Sequence, residues 1–187
     1  MASANKLPLK TDIRDSLISG KGVFARKKIR AGETICHLTG ERCTIDEMLR
    51  RVKEGKENGS DPLGIEDEIY LDLDEFPRTI NHSCDPSAYI RGKNELVAIR
   101  DILAGEEVTY DYSTTMNDNK TKINAFGFEV WTCACHCGSK ICRGIINQFK
   151  TLPKERRDYY IQNKFMPDFM LRNFAKILTS TKKKIEK

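Results

Sequence analysis

The sequence predicts a mainly β body followed by a helical C-terminal segment. Three observations carry that reading. Short runs alternate apolar and polar residues between glycine turns. After Pro153 the apolar spacing lengthens to that of a helix. Between these two regions, Cys133, Cys135, Cys137 and Cys142 crowd together, as a metal-pinned junction would require.

The elements follow in order. Gly20-Lys21-Gly22 reads as a turn entering a strand at Val23-Phe24-Ala25. Arg30-Ala31-Gly32-Glu33 reads as a second turn, before Thr34-Ile35-Cys36-His37-Leu38. Thr44-Ile45-Asp46-Glu47 has capping-box spacing, and Met48, Leu49 and Val52 supply apolar positions behind it. That spacing predicts a helix over 45–55. Further strands are expected at 68–73, 87–91, 95–100 and 108–112, the third entered through Gly92-Lys93-Asn94. Residues 113–125 are polar and are expected to form a mobile loop. Pro153 suits a first helical turn. Met170, Phe174, Ile177 and Leu178 then share a helical face, and 181–187 is expected to be disordered.

The 187 residues suffice for one domain and an appendage. The divisions expected are 12–114 for the body, 115–149 for a polar loop and cysteine segment, and 150–187 for a basic helical tail. With 39% hydrophobic and 32% charged residues, the chain reads as soluble and globular. No run approaches the roughly 18 apolar residues of a membrane span. The opening residues have no apolar stretch of the secretory kind. Charge is uneven: residues 150–187 hold eleven Lys/Arg against four Asp/Glu, while the whole chain is +5. The body is thus near neutral to acidic, which suits a basic peptide. The tail is suited to weak contact with nucleic acid, or simply to a solvated helical face.

Seven cysteines, an odd number with four clustered, argue against a secreted disulfide scaffold. They favour metal thiolates in a reducing, intracellular compartment, cytoplasmic or nuclear. Cys135, Cys137 and Cys142 supply three sulfurs within one tight turn that Gly138 permits. A closed zinc site needs a fourth ligand. Cys84, Cys133, His136, Cys36 and Cys43 are the candidates, and Cys84, in a rigid stretch before Pro86, is preferred. With four sulfurs the zinc would be structural. Cys36 and Cys43, isolated among apolar residues, read as small buried hydrophobes.

Four separated segments now agree: Gly20-Lys21-Gly22-Val23-Phe24-Ala25, Asn81-His82-Ser83-Cys84, Gly105-Glu106-Glu107-Val108-Thr109-Tyr110-Asp111-Tyr112 and Cys135-His136-Cys137-Gly138 through Cys142-Arg143-Gly144. In that order they resemble the SET-domain lysine methyltransferases with a post-SET zinc segment, over roughly residues 12–149. The tail after Gln148 more loosely resembles short bacterial-type SET proteins. The resemblance implies small curved β-sheets with a pseudoknot, where one segment threads beneath a loop. It also implies methyl transfer from S-adenosylmethionine to a lysine of a protein substrate, a histone tail or another basic peptide.

By the same resemblance, the backbone of Gly20, Lys21 and Gly22 lies against the cofactor. Asn81 and His82 match its binding pair. Tyr112 matches the catalytic tyrosine, which also borders the cofactor, and Tyr110 matches the position that tunes methyl number. Tyr70 is either a wall of the lysine channel or an inward-packed strand residue. Phe149 or Trp131 is expected to cover the adenine. Relatives carry Glu-Tyr-x-Gly-Glu where this chain has His37-Leu38-Thr39-Gly40-Glu41, so Leu38 is expected to widen the channel that Tyr110 narrows. Two other classes compete. An inactive SET-fold binding module would bind cofactor without turnover. A zinc-stabilised nucleic-acid binder would bind with strong salt dependence and leaves Asn81-His82-Ser83-Cys84 unexplained.

Overall fold

The computed structural model describes residues 8–59 and 61–174. Ile177, Leu178 and the basic run at 182–184 lie outside the described residues.

Among the described residues, three three-stranded antiparallel sheets build the body. The first joins β1 (Thr11–Asp15), β2 (Lys21–Ala25) and β9 (Glu107–Val108). The second runs β3 (Thr34–His37), β8 (Glu95–Ala98), β7 (Ala88–Arg91). The third runs β4 (Gly40–Thr44), β6 (Ile69–Leu73), β5 (Leu63–Glu66). Their inner faces meet over Val23, Ile29, Leu38, Ile90, Leu96 and Ile102, all essentially without solvent contact. Burial on that scale contributes about 1.5–3 kcal/mol per large apolar side chain.

Helix α1 (Ile45–Lys53) begins where the capping spacing predicts, with the Thr44 hydroxyl accepting from the Glu47 N–H. A one-turn helix α2 (Glu75–Arg78) leads into the segment carrying Asn81 and His82. That segment is laced to 108–112. Tyr110 N donates to Asn81 O and Ser83 N donates to Tyr110 O, both at 3.2 Å. His82 and Tyr110 form an isolated parallel bridge.

Two expectations need correction. The strand expected over 108–112 stops at Val108, and Tyr112 opens a 3-10 turn, Tyr112–Thr115. Asp111 is the cause: its carboxylate caps that turn by accepting from Ser113 N at 3.1 Å. Nor is 113–125 an open loop. Ser113, Thr114 and Thr115 are buried, and α3 (Lys120–Ala125) follows, capped by the Asn119 side chain. Short polar side chains here close local turns against their own backbone, which mere polarity does not disclose.

The cysteine segment forms a minimal hairpin, β10 (Cys133–Ala134) with β11 (Ile145–Ile146). The tail then folds back on the body. Pro153 precedes α4 (Lys154–Asn163), and residues 168–174 are again helical. Phe149, Leu152, Tyr160, Met166, Met170 and Phe174 form a second buried cluster. Phe165 packs on Tyr89 of β7 with ring centres 4.8 Å apart. Three of the tail's described cations are engaged within the protein. Arg156 donates to Cys84 O, Arg157 to Lys150 O and Leu152 O, and Lys154 pairs with Asp158. Those contacts favour a brace over a nucleic-acid face among the described residues.

Candidate active site and cysteine cluster

A cavity of about 530 Å³ opens between the body, α1, α3 and the cysteine hairpin. That is the size of a pocket for a small molecule. Tyr112, Tyr110, Asn81 and His82 all line it, so the residues drawn from separate motifs converge on one place. Gly20, Lys21 and Gly22 do not line it; Ile18 and Ser19, immediately before them, do.

The turn is fixed by a carboxylate behind it. Glu107 accepts from Ser16 Oγ at 2.9 Å and from Asn81 Nδ2 at 2.8 Å. Asn81 Nδ2 also reaches Ser19 O and Lys21 O, at 3.1 and 2.9 Å. A β-carbon on Gly22 would sit 2.1 Å from a Glu107 carboxylate oxygen, so a larger residue there would displace the carboxylate from Asn81 and Ser16. Lys21 itself points outward to Asp15.

Tyr112 is held at both ends. Its hydroxyl donates to Ile80 O at 2.7 Å, and its backbone N–H donates to His82 Nδ1 at 3.1 Å. Burial pushes its phenol well above the usual value, so it stays a neutral hydroxyl across ordinary pH. With its one proton committed to Ile80 O, the oxygen offers only lone pairs to the cavity. Tyr110, also raised by burial, stacks beside it with ring centres 4.8 Å apart. Burial is the main cause that pulls His82 down to about 4, with Asp111 working in the other direction. A neutral imidazole accepting at Nδ1 carries its proton on Nε2, which faces Cys84 Sγ at 3.4 Å.

Tyr70 packs inward and also borders the cavity. It lines the cavity and packs with Met48 and Leu49, while its hydroxyl donates to Asp118 at 2.6 Å. Leu38 does not line the cavity; it is core, 1% exposed. The exposed His37 beside it does not line the cavity either. Of the two aromatic covers, Trp131 lines the cavity, whereas Phe149 is sealed in the tail cluster.

The Sγ atoms of Cys84, Cys135, Cys137 and Cys142 all lie within 4.8 Å of one another. Cys84 and Cys135 are 3.8 Å apart. Sulfurs at about 2.3 Å from a tetrahedral zinc are about 3.8 Å apart, so this donor set fits the ion. Backbone N–H groups of Arg143 and Gly144 already point at Cys84 and Cys142 sulfurs, as thiolate ligands require. Gly138 makes the turn between Cys137 and Cys142 with φ of +69°. Cys133 is exposed and outside the group. Cys36, pushed up to about 12 by burial, and buried Cys43 behave as apolar side chains.

Sequence reasoning missed what joins these parts. Asp111, 1% exposed, receives both Arg143 Nη atoms at 2.8 Å and the Tyr160 hydroxyl at 2.8 Å. Asp118 likewise joins Tyr70 to the buried Gln148. Arg143 sits beside Cys142, which was the available signal; nothing local marks Tyr160.

Residues 20–113 match the family model for the SET domain. The chain is 33% identical over 144 residues to the histone-lysine N-methyltransferase trithorax of Drosophila melanogaster, covering 71% of this chain and 4% of that protein. It is 32% identical over 144 residues to human histone-lysine N-methyltransferase 2B, covering 71% and 5%. It thus spans a small fraction of the curated relatives it matches. Among solved structures, Polycomb Repressive Complex 2 from Chaetomium thermophilum superposes with a TM-score of 0.53 at 26% identity, over 61% of this chain and 16% of that one. KRYPTONITE gives 0.54 at 23% identity, over 73% and 29%, a likeness of fold. With the fold, the convergent cavity and the matched residues in agreement, the chain belongs to the SET-domain family.

Proposed function

We propose that this chain transfers a methyl group from S-adenosylmethionine to the side-chain amine of a lysine in a protein substrate. One observation carries the reading. A half-buried, neutral tyrosine, Tyr112, lines a cavity of about 530 Å³ that Asn81 and His82 also line. When bound, the cofactor supplies an electrophilic methyl carbon whose bond to sulfur breaks as the bond to the lysine nitrogen forms.

The chain's own residues do the rest. Ser19, Asn81, His82 and Trp131 would hold the cofactor. Free lysine has a pKa of about 10.4, so the amine must shed a proton to solvent before reacting. The apolar wall from Met48, Leu49 and Tyr70 disfavours the ammonium form. Tyr112 Oη offers lone pairs that orient the amine and the methyl group, and alignment supplies much of the rate. Since it stays protonated, Tyr112 is no base for the amine. Tyr110, beside Tyr112 on the cavity wall, would set methyl number. The cysteine quartet would hold a structural zinc that makes the hairpin one wall of the site.

Several named relatives are histone-lysine methyltransferases, which makes a histone tail or another basic peptide the substrate class. Asp118 and Glu129 along the cavity suit such a peptide, whereas Asp61 there is paired with Arg78. Among the described residues, no helix is long and apolar enough to cross a membrane. A reduced cysteine cluster points to action in an intracellular, reducing compartment. The inactive binding module is disfavoured because Tyr112, Asn81 and His82 are all present and line one cavity.

The test is methyl transfer from labelled S-adenosylmethionine to histones and lysine peptides. Tyr112→Phe should bind cofactor as the parent does and lose at least about 100-fold in turnover. Undiminished turnover would remove Tyr112 from this role. Cofactor binding with no transfer to any substrate would favour the inactive module.

A further inference from the structure

We propose that Tyr160 and Arg143 are positioning residues for the reaction, acting on Tyr112 through the carboxylate of Asp111. The inference rests on the reading of Tyr112 as the residue that orients the amine.

Asp111 is bonded directly to Tyr112, and its carboxylate is saturated. Oδ2 accepts from Arg143 Nη1 and Tyr160 Oη, both at 2.8 Å. Oδ1 accepts from Arg143 Nη2 at 2.8 Å and Ser113 N at 3.1 Å. The last of these caps the 3-10 turn that begins at Tyr112. The direction of the Asp111 carboxylate therefore fixes the backbone from which the Tyr112 ring departs.

Its two outside partners come from different parts of the chain. Arg143 belongs to the cysteine hairpin, and its own N–H donates to Cys84 Sγ. Tyr160 belongs to α4 and is fully buried. Its hydroxyl accepts from Arg156, which also donates to Cys84 O at 2.9 Å. Cysteine hairpin, tail helix and reacting tyrosine thus converge on one carboxylate. A buried carboxylate that loses a donor turns toward whatever polar group or water it can reach. Turning would release Ser113 N and free Tyr112 to tilt, and small misplacements of a reacting group are costly. α4 lies beyond the stretch matched by the SET model, so this chain would carry its own brace for the site.

Tyr160→Phe keeps the buried ring and removes only the hydroxyl. Losing one hydrogen bond to a charged group predicts a fall in kcat of about tenfold. KM for S-adenosylmethionine should stay within about twofold, and zinc content should be unchanged. Asp111→Asn should lose more. Tyr159→Phe, altering the half-exposed neighbour, should leave kcat within about twofold. A second readout does not need turnover. In protein labelled with ¹³C-tyrosine, Tyr112→Phe identifies the Tyr112 resonance, and Tyr160→Phe should shift it.

An unchanged kcat together with an unmoved Tyr112 resonance would overturn the proposal. So would a loss of activity that only tracks zinc loss or unfolding. Absence of turnover in the parent protein would instead count against the methyltransferase reading, and the Tyr112 resonance would still decide the positioning role.

Discussion

The cysteine hairpin and the tail follow each other in sequence but are held by different physics. In residues 133–146, only Cys135 and Ile146 are buried, and each strand is two residues long. Those two join Cys84 in a cluster of only three buried residues, so the four converging sulfurs, on the zinc proposal, would supply much of what holds the segment. The tail carries Phe149, Leu152, Tyr160, Ile161, Met166, Phe169, Met170 and Phe174 in one buried cluster. At about 1.5–3 kcal/mol each, these side chains hold it without a metal. Both segments nevertheless touch the same two places, Asp111 and Cys84. On the zinc proposal, one wall of the site would depend on metal, while the brace behind it rests on apolar packing.

That difference can be broken from either side. The largest change in stability should come from Phe149→Ala, which empties a fully buried site between Tyr160 and Phe174. We expect a loss of about 3–5 kcal/mol in denaturant unfolding, with zinc content intact in the remaining folded protein. Simultaneous loss of zinc from folded protein would mean the two segments are not independently held. Cys133→Ser should do least. Its thiol is exposed and outside the quartet, so zinc stoichiometry should not change and stability should move by no more than about 0.5 kcal/mol. Zinc loss in that variant would place Cys133 among the ligands.

Much of this was legible because the signals are local. Thr44 caps α1 three residues before Glu47, and Cys135, Cys137 and Cys142 lie within one turn. Cys84 was found because three thiolates require a fourth. Tyr112, Asn81 and His82 were legible through resemblance, and the cavity that unites them was not. The strand ending at Val108 was misread because Tyr110 and Tyr112 favour strands while Asp111, buried and capped, bends the chain between them. α3 was misread as a loop because its anchors are distant: Lys122 pairs with Glu68, and Asn119 donates to the same carboxylate. That Leu38 packs in the core rather than along the cavity was not legible, because its position in a motif does not say which way its side chain turns. Tyr160 meets Asp111 across 49 positions of sequence, a separation that no periodicity reports.

The most direct test of the central claim, that the cysteine hairpin is one wall of the catalytic cavity, is graded removal of zinc. Released metal, methyl transfer and unfolding of the tail cluster would be followed together as a chelator is added. The account predicts that turnover falls in proportion to zinc released, while the Phe149–Phe174 core keeps its unfolding transition. Full turnover after the zinc has left, or collapse of the tail in step with its release, would contradict it.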